Sequence, residues 1–92
     1  MAIAITPDGK RAYVVNSGSG TVTPIRAADG TALKPIKVGS NPDAIAITPG
    51  GKTAYVALNL KFGRLRPIRT ATNTALRAIK VGNEPTAIAI TP

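Results

Sequence analysis

Lys61, Phe62, Arg64 and Arg66 are the residues of this chain best suited to binding chemistry. In "NLKFGRLRPI" an aromatic ring is flanked by cations, which can stack on a base or a sugar while the cations meet phosphate or carboxylate. The competing expectation is a local register shift that repacks Leu60, Phe62 and Leu65 against a neighbouring element. Acid–base chemistry needs paired carboxylates, and the acids here are Asp8, Asp29, Asp43 and Glu84. Asp8 and Asp29 fall in turns at one end of the repeating unit, Asp43 and Glu84 in turns at the other. Asp in Pro-Asp-Gly and Asp-Gly sequences serves turn geometry. "SGSG" at 17–20 precedes no helix and so is not read as a phosphate cradle. With neither cysteine nor histidine, the usual transition-metal ligands and nucleophile–base pairs are missing. The chain is therefore expected to be non-enzymatic, with no catalytic residue, no metal site and no cofactor.

Twelve Lys and Arg against four Asp and Glu give a net charge of +8. That field favours an anionic ligand such as a glycan or nucleic acid. No stretch reaches the roughly 18 apolar residues of a membrane span, and no charged and apolar leader precedes the first repeat. Neither a span nor an export signal is expected, and the compartment is left open.

The elements that would position these residues follow from an internal repeat. "AIAITP" occurs at 2–7, 44–49 and 87–92. Aligning 2–43 with 44–86, with one inserted residue near Leu58, makes more than half of the positions identical. In that alignment Lys61, Phe62, Arg64 and Arg66 replace Gly18, Ser19, Thr21 and Thr23. Each repeat holds four short apolar runs, such as "AIAIT", "AYVVN", "TVTPIR" and "ALKPIKV". Turn residues such as "PDGK", "SGSG" and "AADGT" separate them. Asn16 and Thr21 are expected to fix their hairpin, and Pro24 and Pro67 to mark an edge strand or a bulge. The first run alternates large and small apolar residues, so both of its faces should be buried. The fourth carries Lys34 and Lys37, or Arg77 and Lys80, and should be the wet outer strand. A dry inner and a charged outer strand describe an all-β fold of two four-stranded antiparallel β-propeller blades. A two-sheet sandwich is the alternative, but it does not explain a four-strand repeat. The units are 1–43, 44–86 and, as the innermost strand of an incomplete third blade, 87–92.

"TPDGKRAYVVNSGSGTVTPI" at 6–25, "TATNTALRAIKVG" at 70–82 and the "NP" or "EP" before each later "AIAITP" resemble the YVTN-type β-propeller repeat, a lactonase-like propeller family. The resemblance covers almost the whole chain. It implies a propeller and a group that includes surface-layer and periplasmic binding proteins and, more remotely, lactonases; it assigns no catalytic residue. Two departures stand out. Arg26 and Arg69 occupy the place where the family pattern commonly has Asp, and "YVVN" at 13–16 becomes "YVALN" at 55–59.

A propeller needs four to eight blades. Two blades plus a strand should therefore be completed by copies of the chain, three giving six blades or four giving eight, or by further sequence of a longer propeller. Residues 2–6 and 87–91 could then exchange between chains. A lactonase-like hydrolase and a fragment without independent function are the alternatives to a binding or interaction scaffold with a basic surface. In a propeller the loop between the second and third strands shares a face with the blade-to-blade loop, which would place Lys61 and Phe62 near Asn41, Pro42, Asn83 and Pro85.

Overall fold

A computed structural model describes residues 2–59 and 63–80. They form two antiparallel sheets. The first runs β1 (Ala2–Ile5), β2 (Arg11–Asn16), β3 (Thr21–Arg26), then the short β4 (Thr31–Ala32) and β5 (Ile36–Lys37). The second repeats the plan with β6 (Pro42–Ile47), β7 (Thr53–Leu58), β8 (Arg64–Arg69), β9 (Thr74–Ala75) and β10 (Ile79–Lys80). Each sheet has four strand positions, because β4 and β5 both pair with β3, and β9 and β10 both pair with β8.

Pro24 and Pro67 explain the split. Neither lies on an edge strand: Pro24 pairs with Tyr13 and Pro67 with Tyr55 in the interior of each sheet. The pairs Val22 with Ile36 and Ile25 with Ala32 leave two residues of β3 facing three of the outer strand, which is a bulge. Leu33 N–H donates to Pro24 O at 2.8 Å and Leu76 N–H to Pro67 O at 2.8 Å, so the outward side of each proline faces the interruption. The donor that proline lacks falls where the ladder is already broken.

Strand alternation gives each sheet two faces. Ala2, Ala4, Tyr13, Val15, Val22 and Pro24 share one face of the first sheet, and Ile3, Ile5, Ala12, Val14 and Ile25 the other. In the second sheet Ile45, Ile47, Ala54, Val56, Leu58 and Ile68 oppose a face containing Tyr55 and Pro67. The core forms where the Tyr13 face of the first sheet meets the Ile45 face of the second. Tyr13, Val15, Val22, Ile36 and Val38 pack with Ala54, Val56, Leu58 and Ile68, and Ile45 and Ile47 close over them. Strand β1 lies against β6.

The expectation that both faces of "AIAIT" are buried is corrected at the first copy. Ile3 and Ile5 are 60% and 64% exposed, whereas Ile45 and Ile47 at the same places in the second copy are half-buried. The reason is geometric: β6 has a sheet on its isoleucine side and β1 has none. Strand β4–β5 is the charged outer one, with Lys34 and Lys37 exposed. The residue inserted near Leu58 lengthens the turn. Leu58 pairs with Arg64 as Asn16 pairs with Thr21, so Leu58 takes the place of Asn16 in space and enters the core. The third "AIAITP" lies outside the described residues.

Candidate functional site

The features that could do chemistry lie along the seam between the sheets and at its two ends. Hydrogen bonds among the described residues cross the seam. Tyr13, fully buried, donates its hydroxyl to Asn73 Oδ1 at 2.7 Å. Arg11 Nη1 donates to Thr70 O at 2.7 Å, and Ser17 Oγ to Pro42 O at 2.8 Å. Arg66 Nε donates to Val38 O at 3.0 Å while its Nη1 donates to Leu76 O at 2.9 Å. A planar fork suits this double task.

Of the residues singled out in the sequence, Arg66 therefore lies in the seam, bridging backbone carbonyls of both sheets. Arg64, on the same face of β8, is half-buried and donates from Nη1 to Gly63 O at 3.2 Å. Lys61 and Phe62 lie outside the described residues, as do Asn83, Glu84 and Pro85. The β2–β3 turn and the link between the sheets do share one end of the molecule. There Ser17, Ser19, Gly20, Lys37, Gly39 and Asn41 line a shallow groove of about 380 Å³. The turn is locked: Asn16 Nδ2 donates to Thr21 Oγ1 at 3.2 Å and to Thr23 Oγ1 at 2.9 Å. Gly20 has φ +68°, and a Cβ on it would stand 2.6 Å from Gly39 O, so only glycine fits. Asp43, exposed, occupies an irregularity of β6 between the paired Pro42 and Ala44 at this end.

The opposite end carries the β1–β2 and β6–β7 turns. A cleft of about 340 Å³ opens there between the sheets, lined by Thr6, Asp8, Lys10, Arg11, Gly51 and Thr70. Asp8 accepts from Thr6 Oγ1 at 2.6 Å and from Lys10 N–H at 3.0 Å, and these bonds, the Thr6 hydroxyl foremost, lower its pKa below the ordinary carboxylate value. Asp29 is lowered likewise, chiefly by the Thr31 side chain and then by the Thr31 N–H, which donates at 3.0 Å; it also pairs with Arg26 at 3.7 Å. Both are turn carboxylates committed to local donors. Thr70 Oγ1 donates to Gly51 O, tying the β8–β9 turn to the β6–β7 turn. Among the described residues no group of three or more His, Cys, Asp or Glu could hold a metal ion, and no helix is long and apolar enough to cross a membrane.

Residues 60–66 stand out in the sequence as a difference between the two copies, and Arg11 and Asn73 are marked by a signal of the same kind. Arg11 stands where the second copy has Thr53, and Asn73 where the first has Gly30.

Two sheets of four strand positions, stacked with equivalent strands adjacent and the apolar strand innermost, are two consecutive blades of a β-propeller. Solved structures agree. The chain is similar to Kuenenia stuttgartiensis hydrazine synthase at TM-score 0.93 and 27% identity, over 99% of this chain and 26% of that one. It is similar to a candidate 6-phosphogluconolactonase of Bacteroides fragilis at TM-score 0.84 and 26% identity, over 98% and 28%. The RRP9 WD40 repeats match at TM-score 0.79 and 15% identity, over 90% and 26%, a likeness of fold alone. The chain thus spans about a quarter of the length of these proteins. No family model and no curated protein matches it.

Proposed function

We propose that the chain is a non-enzymatic scaffold of YVTN-type propeller repeats that presents a basic surface, its open β1 face being covered by a blade of another copy. The observation that carries this reading is the contrast between equivalent strands. Ile45 and Ile47 pack against the Tyr13 face of a preceding blade, whereas Ile3 and Ile5, identical in type and register, are 60% and 64% exposed. Apolar strand surface of this kind, on a strand that carries no charge of its own, invites association. Three copies would supply six blades and four would supply eight. Light scattering on the purified chain should give the mass of a trimer or tetramer, and Ile5→Lys should reduce it to one protomer. A wild-type chain that is folded and monomeric, or an Ile5→Lys variant that keeps the wild-type mass, would overturn the reading.

A lactonase-like hydrolase is the second reading, favoured by the likeness to the candidate 6-phosphogluconolactonase. Hydrolysis of 6-phosphogluconolactone by the purified chain above the buffer rate would support it.

A further inference from the structure

Among the described residues, the end of the molecule opposite the β2–β3 turn gathers five cations. Lys10 and Arg11 are joined to β3 by Ala27 N–H donating to Lys10 O at 2.9 Å and by the pairing of Arg11 with Arg26. Lys52 and Arg69 are joined in the same way, by Thr70 N–H donating to Lys52 O at 3.0 Å and the pairing of Thr53 with Arg69. The Arg11 guanidinium crosses to Thr70 O, the residue after Arg69, so the two sets stand side by side at the same end. Lys10, Arg26, Lys52 and Arg69 are exposed.

The acids neutralise this end only in part: Asp8 and Asp29, held by Thr6, Thr31 and backbone N–H groups, keep their charge and set two carboxylates against five cations. In the second blade their places are taken by Gly50 and Thr72. Among the described residues the ion pairs reduce to Arg26 with Asp29, leaving Lys10, Lys52 and Arg69 without a carboxylate partner. Like charges opposed across a strand pair, as Arg11 and Arg26 are, cost stability, a cost that a bound anion would offset.

We propose that this turn end, through Lys10, Arg26, Lys52 and Arg69, binds a linear sulfated or carboxylated polysaccharide. The proposal rests on the scaffold reading and names its ligand and site. A Lys–Arg pair recurs on each blade, and packed sheets stand about 10 Å apart, a spacing that a linear polyanion can follow from blade to blade. Single-stranded nucleic acid is disfavoured because base stacking needs an exposed ring. The described aromatics at the equivalent strand positions offer little open ring: Tyr13 is fully buried with its hydroxyl on Asn73, and Tyr55 is half-buried in the interior of its sheet.

Heparin of defined length is the probe. Lys52→Gln/Arg69→Gln should weaken binding about tenfold at low salt and reduce the log–log salt slope by about one to two, the counterions no longer released. Lys34→Gln/Arg77→Gln removes the same charge from the exposed outer strands and should change affinity less than about twofold on the same electrostatic grounds. On the unaltered chain, amine acetylation read by mass spectrometry should show heparin protecting Lys10 and Lys52 but not Lys34. Equal losses in the two double variants, uniform protection, or tighter binding of oligothymidylate than of heparin at matched charge would each overturn the proposal. Loss of heparin binding in a chain that still forms the expected oligomer would sink this inference alone, and a monomer that still binds heparin would sink only the assembly.

Discussion

The hydroxyl of Tyr13, on the first blade, reaches Asn73 Oδ1 at 2.7 Å in the β8–β9 turn of the second, linking residues 60 positions apart. Asn73 can make this contact because its backbone lies at φ +53°, the left-handed region that Asn tolerates better than most side chains. Gly30 holds the same place in the first blade at φ +71°.

Removing either partner should loosen the seam unequally. Tyr13→Phe removes the donor and keeps the ring, and should cost about 1 kcal/mol. Asn73→Gly keeps the turn but strands a buried hydroxyl, and should cost about 1–3 kcal/mol. Thermal unfolding would show this as a larger fall in Tm for Asn73→Gly, about 4–8 °C per kcal/mol in a domain of this size. Equal effects would mean that the hydroxyl is rehydrated.

Arg66→Met should cost about 2–3 kcal/mol, since it fills similar space but leaves the carbonyls of Val38 and Leu76 without their charged donor. Arg66→Lys should recover only part, because an ammonium cannot span both acceptors as a planar fork does. Denaturant midpoints of the three proteins should fall in the order wild type, Lys, Met.

Gly20→Ala should destabilise by about 1–3 kcal/mol, since the site combines a positive φ with the approach of Gly39 O. Gly18→Ala, two residues away, meets nothing within 4 Å and should stay within about 0.5 kcal/mol. Hydrogen exchange of the β2–β3 turn amides would show opening confined to the first variant.

The depressed pKa values of Asp8 and Asp29 fix a direction for pH. A carboxylate whose folded pKa lies below its unfolded value stabilises above the unfolded pKa, near pH 4. That stabilisation disappears as pH falls through the folded value. Stability should therefore drop below about pH 4, and Asp8→Asn with Asp29→Asn should flatten the drop. An acid limb unchanged in the double variant would place the titration elsewhere.

What the sequence made legible was what the backbone repeats. "PDGK", "SGSG" and "AADGT" mark their turns because glycine and aspartate there serve local geometry, and the β-branched runs between them became β1, β2 and β3. The outer strand reads as one run, yet it is two segments around a bulge, because Pro24, on the neighbouring strand, has no N–H to offer the ladder at that point. The exposure of Ile3 and Ile5 was equally hidden, since their pattern matches that of Ile45 and Ile47 and only a packed partner separates them. Arg26 and Arg69 stand out in the sequence as departures from the repeat pattern, but their meeting with Lys10 and Lys52 at one turn end depends on strand pairing that the sequence does not display. Arg66 stands out as a difference between the copies, and the structure places it between carbonyls in the seam.

Asn73 and Gly30 give the blades an order. Tyr55 stands in the second blade as Tyr13 does in the first, but among the described residues nothing accepts from its hydroxyl. A neighbouring copy would offer it Gly30, and would offer Thr23 where Arg66 stands in the seam. Junctions between molecules are thus poorer in polar fasteners than the junction inside each one. Warmed or diluted, a ring built this way should come apart into whole two-blade subunits well before any subunit opens.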